Sequence, residues 1–127
     1  LVIDVMSKDV KVVRPDSSVK EVVATMNKFN IGSIVVVQSG RPVGIITERD
    51  ILRRIVEPCL APETLTARQV MSSPVLTINE TASIDEAAKL MARKRVKKLP
   101  VMNNQKLGGM VTLTDIVTKM PTMRSIL

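Results

Sequence analysis

Histidine and aromatic residues are almost absent from this sequence of 127 residues. It has one Phe, one Cys, and no Trp, Tyr or His. The usual ligands of zinc are therefore missing, and an internal disulfide is impossible. The side chain most often used for acid–base catalysis is missing too, as are the aromatic platforms on which nucleic-acid bases stack. These absences disfavour an enzyme, a metalloprotein and a nucleic-acid-binding protein.

Long apolar runs and the common catalytic or nucleotide-binding motifs are missing as well. No run approaches the roughly 18 apolar residues of a membrane span, and the N-terminal residues 1–4 do not resemble a signal peptide. The sequence contains no P-loop, no Gly-x-Gly-x-x-Gly and no nucleophile motif. We therefore expect a cytoplasmic protein that needs no cofactor, has no catalytic residues and has no membrane partner.

What the chain does have is an aliphatic core composition and a basic surface. Hydrophobic residues make up 45% of the sequence and charged residues 24%, as in an ordinary globular protein. The net charge of +7 favours an anionic partner, whether a nucleotide, a nucleic acid or an acidic protein.

An internal repeat at an offset of 65 residues is the strongest feature of the sequence. Val5-Met6-Ser7 recurs as Val70-Met71-Ser72, and we call these two tripeptides the lead segments. Further identities follow at the same offset and in the same order: Val10/Val75, Ser18/Ser83, Glu21/Glu86, Met26/Met91, Val36/Val101, Gly44/Gly109, Thr47/Thr112, Asp50/Asp115 and Ile51/Ile116. Such a match indicates a duplicated structural unit.

Each copy predicts a β-α-β-β-α unit, which places the chain in the α/β (α+β) class. The first helix opens at a capping box, Ser18-x-x-Glu21 or Ser83-x-x-Glu86, and carries one apolar stripe. We expect the units to span residues 1–60 and 61–127, to pack sheet to sheet with pseudo-twofold symmetry, and to form paired clefts between them. The remaining predictions are short helical leads (Asp4–Ser7, Ala67–Ser72), strands (Val10–Val13, Val75–Ile78, Ser33–Val37, Leu99–Met102, Val43–Thr47, Gly108–Thr112), turn pairs (Ser39-Gly40, Asn103-Asn104), and last helices that end before Pro58 or at Met120.

The sharpest candidate for a binding site is the pattern Gly-h-h-Thr-x-x-Asp, where h is apolar. It contains Thr47 and Asp50 in the first copy, and Thr112 and Asp115 in the second. The Asp can accept hydrogen bonds from the two hydroxyls of a ribose, and the Thr lies where helix amides attract phosphate. The same spacing is also a helix-capping pattern, so a structural role stays open.

Together, the duplicated unit, the lead segments, this pattern and the run Lys97–Val101 resemble a tandem pair of CBS (cystathionine-β-synthase) domains, or Bateman module. The resemblance covers residues 1 to about 120. It implies a regulatory module that binds AMP, ADP, ATP or S-adenosylmethionine, dimerises with a second copy, and acts on a fused or separate protein that the sequence does not identify.

Carried over residue by residue, the resemblance assigns Asp50 and Asp115 to ribose and Thr47 and Thr112 to ribose and phosphate. It also implies an adenine slot lined around Val10 and Val75, together with Ile34 or with Leu99 and Pro100.

The two copies diverge beside these positions. Arg49 precedes the Asp in the first copy, where Thr114 does in the second, and we count Arg49 as a candidate phosphate ligand. The run Arg93–Lys98 puts five cations in the second copy; it is either solvated surface, a phosphate grip or a nucleic-acid patch, and Lys98 is the preferred phosphate contact. A regulatory adenosyl-binding module is the favoured function, and a dimerisation scaffold with vestigial clefts or a nucleic-acid binder are the alternatives.

Overall fold

The computed structural model describes residues 1–119 and has the predicted α/β architecture, with two three-stranded sheets and helices. The predicted helix end at Met120 lies outside the described residues. The strands are β1 (Val12–Val13), β2 (Ser33–Gln38), β3 (Arg41–Thr47), β4 (Ile78–Asn79), β5 (Lys98–Asn103) and β6 (Lys106–Thr112). The α-helices are α1 (Val19–Phe29), α2 (Glu48–Ile51), α3 (Ala67–Val70), α4 (Ile84–Lys94) and α5 (Leu113–Lys119), with short 3₁₀ helices at Val2–Asp4 and Pro62–Thr64.

The compact units of the structure do not follow the predicted division into residues 1–60 and 61–127. The first unit is Lys11–Val75, and the second combines Leu1–Val10 with the chain from Leu76 onward. The physical reason is that each lead segment packs into the unit built by the other copy. Val5 is buried in the core of the second unit, and Val70 is buried in the core of the first.

Both units have the same sheet topology. In the first unit β1 pairs parallel with β2, and β2 pairs antiparallel with β3; β4, β5 and β6 repeat this order in the second. The β-branched strand residues suit a pleated, half-buried surface. Alternate residues of the central strands, such as Val36 and Val101, face the helices and are fully buried in the cores.

The longer helix of each unit begins as its sequence predicts. The hydroxyl of Ser18 accepts a hydrogen bond from the Glu21 amide at 3.1 Å, and that of Ser83 accepts one from Glu86 at 3.0 Å. These N-caps satisfy an amide of the first turn. The methionines on the apolar stripes, Met26 and Met91, are buried in the two cores as hydrophobic filler.

Several local details differ between prediction and structure, including the bounds of the short helical leads and of β1 and β4. The first hairpin turns at Ser39-Gly40 as expected, whereas the second turns at Asn104 and Gln105, one residue later than the predicted Asn103-Asn104 pair. Asn103 instead ends β5, because it pairs with Lys106. The helix after β3 continues beyond α2 as a π-helix, Leu52–Val56, and ends before Pro58 as predicted.

Candidate functional site

The two Thr-x-x-Asp patterns lie at equivalent junctions between a strand and a helix. Thr47 ends β3 and precedes α2, and Thr112 ends β6 and precedes α5. In each, the Asp amide donates to the Thr hydroxyl, at 3.1 Å in the first unit and 2.9 Å in the second. The Thr amide donates in return to Oδ2 of Asp50 at 2.9 Å and of Asp115 at 3.1 Å. Both patterns are therefore reciprocal helix caps, as the capping interpretation predicts.

The carboxylate of Asp50 makes further bonds inside the first unit. The Thr47 hydroxyl donates to Asp50 Oδ2 at 3.1 Å, and the Ser72 hydroxyl donates to Oδ1 at 3.1 Å. Arg54 lies one helical turn later, with its Nε 3.9 Å from Oδ1. Asp50 is therefore surrounded by donors, and its side chain is 14% exposed.

The carboxylate of Asp115 is less engaged. Its Oδ1 forms an ion pair with Lys119 Nζ at 3.6 Å, and its side chain is 22% exposed. Ser7, the counterpart of Ser72, is exposed, and its hydroxyl accepts a hydrogen bond from the Asp9 amide at 3.3 Å. The two units therefore share the cap but differ in what surrounds the second carboxylate oxygen.

Sequence reasoning missed the role of the lead segments at these junctions. Ser72 exchanges two backbone hydrogen bonds with Ile45, at 2.9 and 3.0 Å, and Ser7 does the same with Met110, at 2.8 and 2.9 Å. The signal was the recurrence of Val-Met-Ser together with the glycine of the motif. A Cβ on Gly44 would lie 2.2 Å from Met71 Sδ, so this glycine admits the lead segment rather than a ligand.

A basic residue four positions after each Asp was missed as well. Arg54 donates from one guanidinium nitrogen to the carbonyl oxygens of Val70 at 3.0 Å and Met71 at 2.8 Å. Lys119 donates to the Val5 oxygen at 3.0 Å. Because Val70 and Val5 are equivalent positions, both units fasten their lead segment in the same way. A basic residue at the same offset in both copies could have revealed this.

Three of the residues expected to line the adenine slot have buried side chains. Ile34 and Leu99 are 1% exposed and belong to the two cores, and Pro100 is buried as well. They fill the protein interior because they lie on the central strand of each sheet. Val10 and Val75 are half-buried. Val10 belongs to the second unit and Val75 to the first, so neither shares a unit with the Thr-x-x-Asp pattern of its own copy.

The basic candidates are divided between the units. Lys98 begins β5 and pairs directly with Thr112, so its half-buried side chain is on the same face of the sheet as that of Thr112. Arg49 is exposed on α2, next to Asp50. In the run Arg93–Lys98, the first two residues end α4, and Arg95 is its C-cap with a φ of 55°.

A cavity of about 1060 Å³ lies elsewhere, near the hairpin end of the first unit. Its wall includes Val37 and Gln38, whereas Thr47 pairs with Ser33 at the opposite end of β2. The charged lining is of both signs: Arg14, Asp16, Glu21 and Arg68. We base the site on the Thr-x-x-Asp junctions, because neither the Thr nor the Asp of that pattern lines this cavity.

Residues 1–119 contain no group of three or more His, Cys, Asp or Glu side chains arranged to hold a metal ion. None of the helices in this part of the chain has the length and apolar character needed to cross a membrane. Cys59 is exposed and free.

Comparison with known proteins gives a family match over most of the chain. The family model described as CBS domain matches twice, at residues 2–57 and 67–122. An uncharacterized protein of Methanopyrus kandleri is 38% identical over 120 residues, which cover 93% of this chain and 61% of that protein. An inosine-5'-monophosphate dehydrogenase of Methanocaldococcus jannaschii is 33% identical over 118 residues, covering 91% of this chain and 23% of the enzyme.

The match extends to three-dimensional structure. The crystal structure of the CBS domain pair of protein MJ0100, in complex with 5'-methylthioadenosine and S-adenosyl-L-methionine, superposes with a TM-score of 0.80 at 28% identity. The superposition covers 94% of each chain. The two matches of the family model each contain one lead segment and one Thr-x-x-Asp pattern.

Proposed function

This chain belongs to the CBS domain family as a tandem pair, and from that premise we propose that it is a regulatory module that binds an adenosyl ligand. The ligand is an adenine nucleotide such as AMP, ADP or ATP, or S-adenosylmethionine. Its ribose hydroxyls donate hydrogen bonds to Asp50 or Asp115, and the Thr of the same pattern contacts the ribose or phosphate. The module changes the activity of a fused or separate protein and catalyses no reaction itself.

The observation that carries this proposal is a partly exposed carboxylate at the same strand–helix junction in both units. Asp115 has one oxygen in the helix cap and directs the other toward Lys119. A carboxylate can accept about four hydrogen bonds, so capping does not exhaust it. A pair of adjacent ribose hydroxyls suits the acceptor capacity that remains.

The neighbouring proteins support the class of ligand and the regulatory role. The MJ0100 pair is described in complex with two adenosyl compounds. In the similar inosine-5'-monophosphate dehydrogenase, the matching region makes up less than a quarter of the chain, so it is one part of a longer enzyme. A ligand regulates such a module when it binds two conformations with different affinities.

Calorimetric titration of the whole chain tests the proposal. AMP, ATP and S-adenosylmethionine are titrated separately into the wild type and into the double variant Asp50→Ala/Asp115→Ala. We expect at least one ligand to release heat with the wild type and none with the double variant. A matched control, Ser18→Ala/Ser83→Ala, removes two helix caps outside the Thr-x-x-Asp patterns and keeps binding.

Two results would contradict the adenosyl-binding function. One is that no heat is released by any of the three ligands with a folded wild-type chain. The other is that affinity in the double variant equals that of the wild type while circular dichroism shows both folded. In either case, the Thr-x-x-Asp patterns are helix caps alone.

A dimerisation scaffold is the second candidate, and exposed aliphatic side chains favour it. Three exposed aliphatic residues recur every four positions: Leu52 (58% exposed), Val56 (58%) and Leu60 (47%). The first two lie on one face of the π-helix. We propose that this face packs on a second copy of the chain. Sedimentation equilibrium of the wild type and of Leu52→Lys/Val56→Lys tests this: the variant is expected to be monomeric, and an unchanged mass would contradict it.

A further inference from the structure

We propose that the two sites are unequal: the second unit binds a phosphorylated adenosyl ligand through Asp115, Thr112 and Lys98, and the Asp50 site of the first unit is occupied by the chain's own side chains. This inference rests on the proposed function and specifies which site works and what charge its ligand has. It follows from the different bonds at two positions that are equivalent by sequence.

The acceptor capacity of Asp50 is used within the first unit. Its carboxylate accepts hydrogen bonds from the Thr47 amide, the Thr47 hydroxyl and the Ser72 hydroxyl. The guanidinium of Arg54 lies 3.9 Å from the same oxygen that Ser72 contacts. A carboxylate accepts about four hydrogen bonds, so about one acceptor position remains on Asp50. Because the two hydroxyls of a ribose need two positions, a ribose can bind here only by displacing Ser72.

The acceptor capacity of Asp115 is less used among residues 1–119. Within this part of the chain its carboxylate accepts one hydrogen bond, from the Thr112 amide, and has Lys119 at 3.6 Å. Two further hydrogen bonds fit, and two are what the adjacent hydroxyls of a ribose donate. The Lys119 ammonium is half-exposed and also donates to the Val5 oxygen at 3.0 Å, so it can stay paired without blocking them.

The residue opposite the Thr determines the charge that each site accepts. In the second unit it is Lys98, which has no ion-pair partner among residues 1–119. An ammonium beside Thr112 attracts a phosphate attached to the ribose. In the first unit the equivalent residue is Ser33, whose hydroxyl is buried and has no hydrogen-bond partner in the described chain. Ser33 therefore offers a phosphate neither a positive charge nor an accessible hydroxyl.

Calorimetry with AMP and with adenosine on single variants tests the inference. For the wild type we expect a stoichiometry of one. Asp115→Asn weakens AMP binding at least tenfold, whereas Asp50→Asn, the equivalent change at the self-occupied site, changes it less than twofold. Lys98→Ser, which installs the residue of the first unit, weakens AMP binding about tenfold and adenosine binding less than twofold, because only AMP carries the phosphate.

A second pair of variants tests the self-occupied site. Ser72→Ala frees Asp50 Oδ1, so we expect a second, weaker binding event for adenosine; Ser7→Ala, the equivalent change in the second unit, adds none. If Asp50→Asn abolishes binding and Asp115→Asn does not, the inference is overturned while the adenosyl-binding function stands. It is also overturned if Lys98→Ser weakens AMP and adenosine equally. If neither Asp variant affects binding, the proposed function itself fails.

Discussion

The two units of this protein use the same backbone contacts with different side chains. In both, a lead segment forms an isolated bridge to the hairpin strand that ends in the Thr of the motif. In the first unit Ser72 also bonds to Asp50, and Arg54 fastens two carbonyl groups. In the second unit Lys119 fastens one carbonyl, and Ser7 bonds elsewhere.

This difference separates the parts of the duplicated motif that serve folding from the parts that the proposed binding would use. The features common to both units are the cap, the glycine and the backbone bridge, and each has a structural role in the unliganded chain. The features that differ lie immediately beside the cap, at Ser33 and Lys98 and around the second carboxylate oxygen. Divergence after duplication has therefore changed the surroundings of the site and retained its frame.

The largest effects are expected where the two units are equivalent. Ile34→Ala and Leu99→Ala each remove a fully buried side chain from one core, so we expect each to lower the free energy of unfolding by about 3 kcal/mol. Urea denaturation measures the loss. The exposed Val12→Ala serves as the control and is expected to stay within about 0.5 kcal/mol of the wild type. Equal stability with weakened ligand binding would restore the role of these residues as slot lining.

Sequence reasoning succeeded for the features that local patterns determine. The 65-residue repeat, the helical stripes and the short β-branched runs predicted the element order, both hairpins and the positions of Thr47 and Thr112. These features depend on local periodicity and capping, which a single sequence carries. Ile34 and Leu99 were placed at the site by the resemblance, although their positions on a central strand between apolar neighbours fit a core equally well.

The exchange of lead segments could not be predicted for a physical reason. Both copies have the same Val-Met-Ser sequence and the same glycine, so each lead segment is chemically compatible with either unit. Only chain geometry decides which unit it joins, and periodicity contains no information on that choice. The Ser72–Asp50 bond follows from the exchange and was hidden for the same reason.

The glycines of the motif should reveal unequal tolerance in the two units. A Cβ on Gly109 would lie 2.6 Å from the backbone oxygen of Ser7, whereas one on Gly44 would first meet the side chain of Met71, at 2.2 Å from Sδ, 2.6 Å from Cγ and 2.9 Å from Cβ. We therefore expect Gly109→Ala to destabilise the protein by about 2–3 kcal/mol and Gly44→Ala by about 1 kcal/mol. Thermal or urea denaturation checks the order. A larger loss for Gly44→Ala would mean that Met71 cannot move aside.

The basic residues that fasten the lead segments allow a smaller comparison. Arg54→Met removes hydrogen bonds to two carbonyl groups, and Lys119→Met removes one. Because both side chains are about half-exposed, we expect losses of only about 1 and 0.5 kcal/mol. Amide hydrogen exchange should accelerate at Ser72 in the first variant and at Ser7 in the second. Acceleration of both amides by either variant would show that the two lead segments open together.

The smallest effect is expected at the two hairpin turns, where Ser39-Gly40 in the first copy corresponds to Asn104-Gln105 in the second. Ser39 and Asn104 are equivalent and have φ values of 54° and 60°, a left-handed conformation that Asn adopts more readily than Ser. Gly40 follows with a φ of 79°, so Ser39→Asn creates an Asn-Gly pair. This pair is favoured in two-residue hairpin turns in which both residues have positive φ. We expect a gain of about 0.5 kcal/mol, and a similar loss for Asn104→Ser, from urea midpoints. If Ser39→Asn is neutral while Asn104→Ser is costly, then contacts of the Asn104 side chain, rather than backbone preference, determine the residue at this turn.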